Sequence, residues 1–504
     1  MNTVNSKLKV CLILQRRFVF VGHDIARILK REHGINEFCA LVYTRPSYEF
    51  LKNQEDIRYT KLLLDEDIQR RYKDEPLDLA YLKWLEREYG TPTLWPYINV
   101  DRVIRFGQLV REYPHNTSPY THEEMLRMLQ VYSKALHAFL DEEKPDVIFS
   151  APIGAMNTVL FYNIAKKRGI KNLIMAFPGI RDRIEVSERY DRLTFVEKIV
   201  ERDHSKKVSE IPQYEEARAF IKEYRERPTA YSEIHEDSRR KFSRMQHFEF
   251  LHPARFLRAF MFAVSKFMEW WRNPLYRGDY TYINPVNFLV DSIRRKTRNL
   301  IGHDDLYDTY DPSVPFAFFP LHLEPELSLL LLAPFDTDQI AVVCRIAQSL
   351  PVGMNLIVKE HPNMVALRPR RFYKKLKEIP NVRLVRPEIS SFSIIARASL
   401  VTVITGTVGW EATLFGKPVI TFGDAFYNAL PSVTRSRIPE ELPTLVQSKL
   451  TAFTFDEEGL IRFVAAILEH SAHADILNIW ELGVDKDTRD RELADLASLI
   501  ARKI

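Results

Sequence analysis

The sequence predicts an α/β protein with two doubly wound parallel sheets that face a cleft, and a helical, basic insertion between them. Short runs of Val, Ile and Leu alternate with helical patterns before residue 180 and again from about residue 313. Such runs are typical of parallel strands covered on both faces. We therefore predict a Rossmann-like N-terminal domain over 1–200, a helical basic linker over 201–312 and a C-terminal domain over 313–504.

The N-terminal domain opens with a β-α-β pattern, the unit from which a doubly wound sheet is built. A mainly helical, charged stretch is expected over 50–140. The other predicted elements are strand 8–14, helix 22–34, strand 36–43, strand 145–150, helix 154–168 and strand 172–178.

The C-terminal domain repeats this pattern more cleanly. Asp336 is expected to cap its first helix, and the second should start near Pro369, because proline is favoured at the first helical position. The predicted elements are strand 316–321, helix 336–350, strand 355–361, a helix from about 369, strand 382–387, helix 391–398, strand 400–405, helix 408–415 and strand 418–423.

Composition narrows the class of protein. An apolar content of 46% and a charged content of 28% are ordinary for a globular chain. Three distant cysteines argue against a disulfide scaffold or a zinc site and favour the reducing cytoplasm. The apolar run at 10–14 is too short for a secretory signal, and no long uncharged apolar run predicts a transmembrane helix.

The segment 239–298 carries 13 basic and 4 acidic residues, a net charge of +9, while the whole chain has +5. An apolar stripe at helical spacing runs from Phe256 to Trp271. This helix could pack on its own domain, lie on an anionic membrane surface or bind another subunit. The charge favours an anionic partner, so we predict peripheral attachment to the inner face of the plasma membrane. The basic residues outside the stripe are Arg255, Arg258, Lys266 and Arg272.

Ligands of parallel sheets bind beyond the carboxyl ends of the strands, so polar turns at that edge form the candidate site. Four successive C-terminal strands end in such turns. They are PLHLEPE (320–326), with His322 and Glu324 as candidates, KEHP (359–362), PEISSFS (387–393) and TGTVGWE (405–411).

The KEHP turn has the chemistry of a phosphate contact. Pro362 disfavours the α region for His361, which should therefore stay extended at the strand end. Alternation along the strand puts Lys359 and His361 on one face and Glu360 on the other. A lysine and an imidazole on one face suit a phosphate oxygen. The alternative is that both residues are structural.

The TGTVGWE turn offers backbone N–H groups. Gly406 allows a ligand to approach the backbone, and Thr407 is expected to cap a helix whose N–H groups face an anion. Ser390 and Ser391 begin another helix aimed at the same edge. Glu411 could accept hydrogen bonds from ribose hydroxyls; alternatively it is a solvated acid favoured by the helix dipole.

Taken in order, PLHLEPE, VKEHP, IPNVRLVRPEISSFSIIARAS and VITGTVGWEATLFGKPVITFGDAFY resemble the capsular and surface-polysaccharide biosynthesis glycosyltransferases, which include bacterial Kdo transferases of the GT-B fold. The resemblance covers about residues 315–430, with a weaker similarity at 85–102. It implies an acceptor-side N-terminal domain and a nucleotide-sugar donor in the C-terminal domain. By match to the family, donor-phosphate roles fall to His361, Pro362, Ser390, Ser391, Thr405, Gly406 and Thr407.

The resemblance implies transfer of a sugar, with Kdo from CMP-Kdo favoured, to a surface polysaccharide or glycolipid. Fixed donors can stabilise the leaving nucleotide, so we expect no metal, no further cofactor and no nucleic-acid partner. An acid or base should come from the N-terminal sheet edge. The candidates are His23, Asp24, Asp182 and Glu185, unless these are ordinary loop residues, and Arg181 and Arg183 are candidate partners for a sugar carboxylate.

Three other classes share parts of this pattern. A UDP-sugar 2-epimerase would turn over free nucleotide sugar without an acceptor, and a non-catalytic surface-glycan assembly protein would bind nucleotide without turnover. Wall-teichoic glycerophosphotransferases usually carry an Asp-Tyr-Ser-Ser turn where this chain has TGTVGWE, which counts against them.

Overall fold

The computed structural model describes residues 8–106, 118, 120–229, 252–272, 285–480 and 485–504. The chain forms two compact units. Described residues of 1–105, 118–222 and 458–504 form the first, and those of 223–457 form most of the second. Within the described ranges, every helix is too short or too polar to span a bilayer.

The sheet of the first unit has the strand order β3-β2-β1-β4-β5-β6, in which the first five strands are parallel and β6 runs antiparallel to β5. This is the Rossmann order. The strands are β1 (Lys9–Leu14), β2 (Glu37–Val42), β3 (Tyr59–Leu64), β4 (Val147–Ser150), β5 (Lys171–Ala176) and β6 (Arg183–Ser187).

Ten α-helices are described before residue 230. The first ends at Gly34, whose φ of 70° is the left-handed geometry that glycine adopts at helix ends. The helices are α1 (Phe18–His33), α2 (Arg45–Lys52), α3 (Asp65–Arg70), α4 (Leu79–Tyr89), α5 (Trp95–Asn99), α6 (Arg102–Phe106), α7 (His122–Glu143), α8 (Met156–Lys167), α9 (Thr194–Arg202) and α10 (Tyr214–Glu226).

The second sheet is parallel throughout and repeats the Rossmann order as β9-β8-β7-β10-β11-β12. Its topological switch point, where ligands of such sheets bind, lies between β7 and β10. Two sheets of this kind confirm the predicted α/β, GT-B-like class. The strands are β7 (Phe316–Pro320), β8 (Asn355–Lys359), β9 (Val382–Val385), β10 (Leu400–Val403), β11 (Val419–Thr421) and β12 (Val433–Arg435).

Eight further helices belong to this unit. Buried Val, Leu, Ile and Phe side chains of the strands pack with α14, α15 and α18 in one core. The helices are α11 (Pro253–Arg272), α12 (Pro285–Ile301), α13 (Leu327–Leu332), α14 (Gln339–Ser349), α15 (Arg370–Lys377), α16 (Ser391–Arg397), α17 (Thr407–Leu414) and α18 (Leu442–Thr451).

The C-terminal segment differs from the predicted boundary of 313–504, because residues 458–504 belong to the first unit. Its short strand β13 pairs with β6, and Leu493 and Leu496 of α21 share a core with Ile25 and Leu29 of α1. Apolar burial therefore returns the end of the chain to the first sheet. The elements are α19 (Glu457–His470), β13 (Ala472–His473), α20 (Ile476–Trp480) and α21 (Lys486–Lys503).

Several local predictions need correction. The predicted helical stretch over 50–140 contains β3, whose sequence YTKLLL mixes polar and apolar residues. Helix α1 begins at Phe18, four residues before the predicted start. Asp338, and not Asp336, caps α14 by accepting from the N–H groups of Ile340 and Ala341, while Asp336 pairs with Arg345.

Candidate functional site

His322, which follows β7, is buried against the turn that follows β10. Its Nε2 accepts from the Gly406 N–H at 3.0 Å and from the Thr405 N–H at 3.3 Å. Burial, together with the charges of His361 and Arg368, lowers the His322 pKa to about 3. The ring is therefore neutral, and because Nε2 accepts, its proton lies on Nδ1. In the structure the imidazole of His322 holds the turn in place, and its donor contact stays a prediction.

Gly406 and Gly409 are required by close packing. A Cβ on Gly406 would lie 2.9 Å from His322 Nε2, and one on Gly409 would lie 2.4 Å from the Tyr427 hydroxyl. The same hydroxyl donates to the Gly406 carbonyl at 2.5 Å. The backbone of the turn is thus fixed from two sides before any ligand arrives.

Helix α17 presents its N-terminal end at this edge. Gly406 occupies the N-cap position and Thr407 is the first helical residue, so the predicted capping by Thr407 is wrong. The first N–H groups of a helix lack intrahelical acceptors and attract anions. Beside them, the buried Thr405 hydroxyl has no hydrogen-bond partner among the described residues. These groups form a polar lining at this edge of the sheet.

Lys359 and His361 lie at the end of β8 on the same edge. Lys359 is only 5% exposed, and its Nζ donates to the Ser391 hydroxyl at 3.1 Å. Burial lowers the Lys359 pKa, against the opposing charges of Glu411 and other carboxylates. His361 has φ −66° and ψ 129°, the extended geometry predicted from Pro362. Its Nδ1 accepts from the Asn363 N–H, so a neutral ring carries its proton on Nε2.

The remaining donor candidates differ in exposure. Ser390 and Pro362 are exposed, and Ser391 is half-buried at the start of α16. Glu411 is 5% exposed, so it is not the solvated acid of the alternative interpretation. Its charge instead raises the Lys359 pKa toward the ordinary value. Lysine, serine and carboxylate therefore form one electrostatically coupled group at the sheet edge.

A buried ion pair beneath this group was missed by the sequence analysis. Arg368 is fully buried and donates to both carboxylate oxygens of Glu360, at 2.5 and 2.7 Å. It also donates to the His322 carbonyl at 2.6 Å, and the Tyr373 hydroxyl donates to Glu360 at 2.8 Å. The pair joins the ends of β7 and β8. Alternation had placed Glu360 away from Lys359 and His361, but nothing in the sequence identified Arg368 as its partner.

Glu324 belongs to the same buried layer. Gln339 donates to its carboxylate and to the His322 carbonyl, and accepts from the His322 N–H at 2.7 Å. Arg368 lies 3.4 Å from Glu324 and opposes the burial that raises the Glu324 pKa. The predicted donor contact by Glu324 stays a prediction, because in the structure its carboxylate supports the turn.

In the first unit, His23 and Asp24 lie in the second turn of α1 and not in a loop after β1. His23 is 3% exposed, with Nδ1 3.1 Å from the Tyr59 hydroxyl and Nε2 3.2 Å from Asp56. Tyr59 begins β3, so His23 faces the amino edge of the sheet, away from the predicted ligand edge. Asp24 pairs with Arg489 at 2.8 Å. The helix start at Phe18 explains this displacement.

The other candidates of the first unit surround the start of β6. Glu185 is fully buried, and its carboxylate lies 2.6 Å from His470 Nδ1; burial raises the Glu185 pKa. The rest lie near the surface, each beside an ionisable partner: Arg181 with Asp475 at 3.8 Å, Asp182 with His473 at 3.2 Å and Arg183 with Glu216 at 2.9 Å.

A buried acid at the carboxyl edge of the first sheet was also missed. Asp65 directly follows β3 and is 2% exposed. It accepts from Asn157 at 2.5 Å and from the Tyr132 hydroxyl at 3.1 Å. Burial nevertheless raises its pKa to about 7. The sequence signal is a strand followed at once by an acid, but YTKLLL lies within the stretch that is predicted to be helical.

Comparison with known proteins supports the predicted resemblance. Residues 282–452 match the family model described as capsule polysaccharide biosynthesis protein. Protein FixF of Sinorhizobium fredii is 32% identical over 127 residues, which are 24% of this chain and 29% of FixF. The capsule polysaccharide modification protein LipA of Neisseria meningitidis serogroup B is 31% identical over 116 residues, 23% of this chain and 16% of LipA. The chain is thus similar to capsule polysaccharide biosynthesis proteins in the part that holds the site, as predicted.

Among solved structures, the chain is similar to a KpsC beta Kdo 2,7 transferase from Thermosulfurimonas dismutans. The sequence identity is 14% and the TM-score 0.34, over 66% of this chain and 80% of that one. The sequence matches span less than a third of the length of FixF and of LipA.

Proposed function

We propose that this protein is a glycosyltransferase of surface-polysaccharide biosynthesis that uses a nucleotide-sugar donor. One observation supports the proposal above all: Lys359, His361, Ser391 and the N-terminal end of α17 all lie at the carboxyl edge of the second sheet. This set combines a cation, an imidazole N–H, a hydroxyl and backbone N–H groups. Groups of each of these kinds bind phosphate oxygens in proteins.

In the proposed reaction the donor phosphate lies against Lys359, His361 and the first N–H groups of α17. When the bond between sugar and phosphate breaks, negative charge grows on the leaving nucleotide. Donors that are already fixed stabilise this charge without reorganisation. Because His322 and Tyr427 hold the α17 turn, its N–H groups meet this requirement. We propose that the leaving group needs no metal, which transfer assays with and without a chelator can test.

The favoured donor is CMP-Kdo and the favoured acceptor a growing surface polysaccharide or glycolipid. Both proposals come from the resemblance of the edge motifs, and the similarity to a capsule modification protein supports the acceptor class. A sugar acid such as Kdo needs a cation for its carboxylate. Arg181, 62% exposed, and Arg183 remain the proposed partners.

A thermal-shift panel of CMP, CDP, UDP and GDP tests the donor site. A ligand that binds only the folded state stabilises it by about 2.7 kcal/mol at a concentration of 100 times its Kd, so the cognate nucleotide should stand out. We expect CMP to raise the melting temperature most. Release of that nucleotide from its sugar only in the presence of acceptor would support transfer. Turnover of free UDP-sugar would indicate an epimerase, and binding without turnover an assembly protein.

A further inference from the structure

Helices α11 and α12 expose apolar side chains along their length. No residue of α11 is buried, and Phe256, Phe260 and Met261 are 59%, 58% and 61% exposed. On α12, Leu289 and Ile293 are 54% and 55% exposed. The interpretation of α11 as a helix packed on its own domain is therefore wrong for the described residues. An apolar surface of this extent marks an interaction site.

Both helices are amphipathic, with basic residues beside the apolar stripe. At 100° per residue, positions 256, 260, 264 and 267 fall on one side of α11, while the exposed Arg258, Lys266 and Arg272 fall outside that stripe. On α12 the apolar positions 289, 293 and 300 share one side. Arg294, Arg295 and Arg298 lie on the other side, and Lys296 lies beside the apolar positions. The polar faces thus carry much of the net charge of +9 over 239–298.

The C-terminal end of α12 is attached to the unit that holds the candidate donor site. Arg298 donates to the Leu367 carbonyl, and Arg370 donates to the Gly302 carbonyl at 2.6 Å. Arg370 also pairs with Asp305. Leu367 lies shortly after His361 in the chain, beyond the helical turn Pro362–Met364. A partner bound by these helices would therefore be held by the same unit as the donor site.

We propose that α11 and α12 form a two-helix surface that binds an anionic phospholipid bilayer and lies in its interface. Helices of 20 and 17 residues are about 30 and 25 Å long, and neither is apolar enough to span the bilayer. Phe, Leu and Met side chains would enter the acyl boundary while Arg and Lys contact the headgroups. A second copy would bring the same positive charge to the surface, so charge complementarity favours lipid. This inference does not depend on the identity of the donor.

Vesicle flotation of the full chain tests the surface. With vesicles containing phosphatidylglycerol at low salt we expect the protein to float. Affinity should fall at least tenfold on pure phosphatidylcholine, or at about 1 M salt, where the Debye length is ~3 Å. Phe256→Ser with Phe260→Ser should lower it by a similar factor. The matched control is Phe335→Ser with Val352→Ser, which are 92% and 107% exposed elsewhere in the same unit and should have no effect.

Charge-reversal variants are the second part of the vesicle-flotation test. The triple variant Arg258→Glu, Lys266→Glu and Arg272→Glu should bind vesicles at least tenfold more weakly. The control is the triple variant Arg371→Glu, Lys374→Glu and Lys375→Glu at exposed positions of α15, which should bind normally. Equal flotation with anionic and neutral vesicles, or unchanged binding of the Phe256/Phe260 variant, would overturn the proposal. So would a dimer in sedimentation that this variant abolishes, because the surface would then bind a second copy. Retained melting temperature in each variant shows that the fold is intact.

Discussion

The carboxyl edges of the two sheets share one strand order but differ in the polar groups that they carry. The second edge gathers Lys359, the half-buried His361 and the N-terminal end of α17. The first gathers Asp65, which follows β3, and Asp101, which accepts from the Met156 N–H at the start of α8, the helix after β4. They are 2% and 1% exposed. The second edge thus combines cationic and N–H donors with buried acids, whereas the acids of the first edge are held by hydroxyl, amide and backbone donors.

The comparison separates what topology decides from what the residues decide. A Rossmann order places the turns after its central strands side by side, whatever their sequence. The residues in those turns then decide the charge. After β7, β8 and β10 they favour a phosphate; after β3 an acid is enclosed by a tyrosine and an asparagine. The second edge is therefore suited to bind an anion, while the first is a packed polar core. Three predictions test this contrast.

The largest effect should follow from removing the cation beneath the second edge. Arg368→Met leaves the Glu360 carboxylate buried without its ion pair. Breaking a buried pair in this way costs about 3–5 kcal/mol. We expect a loss of this size in the free energy of unfolding, measured by urea denaturation. Arg386→Met is the control: Arg386 is 53% exposed beside Asp304, and loss of an exposed pair costs about 1 kcal/mol or less. Equal losses in both variants would show that the buried pair does not support the edge.

The second effect concerns activity. His361→Ala should abolish transfer and leave the fold intact, because the side chain lies at the strand end and not in the apolar core. Removing one preorganised donor costs about 2–4 kcal/mol of transition-state stabilisation, which is a loss of about 30- to 1000-fold in kcat. Steady-state transfer and a melting curve measure the two properties.

His204→Ala, an exposed histidine of the first unit, should keep full activity. If the His361 variant retains more than about half its activity, or unfolds, its assignment to the donor phosphate is wrong.

The hydrophobic pattern of the sequence was sufficient to predict the α/β class and most strands of the second sheet. Buried parallel strands are nearly continuous runs of apolar residues, which are easy to recognise. It was also sufficient to place Lys359, His361 and the Gly406 turn on one edge. The same pattern failed to predict a strand that mixes polar and apolar residues. Strand β3, with the sequence YTKLLL, was missed, and with it the position of Asp65.

The sequence also does not predict which residues become the hydrogen-bond partners of buried polar groups. Arg368 in LRPRR resembles any surface arginine, and only the fold brings it to Glu360. The same holds for His322, whose imidazole fixes a turn 83 residues further along the chain. The return of α21 to the first unit depends on which of two cores receives its apolar face, and a single helical pattern does not distinguish between them.

The smallest effect is the pH dependence of stability at the first edge. The Asp65 pKa is about 7 in the folded state and about 3.9 in an unfolded chain. Between these values the native state holds a proton that the unfolded state has released, so stability falls as pH rises. The slope of one such group is at most about 1.4 kcal/mol per pH unit, so we expect a loss of about 1 kcal/mol from pH 5 to pH 6. Asp65→Asn should remove this loss, and Asp74→Asn, an exposed neighbour, should not. Urea denaturation of the three proteins at both pH values measures the difference; parallel slopes in all three would mean that Asp65 is ionised in the fold and that the first edge carries negative charge.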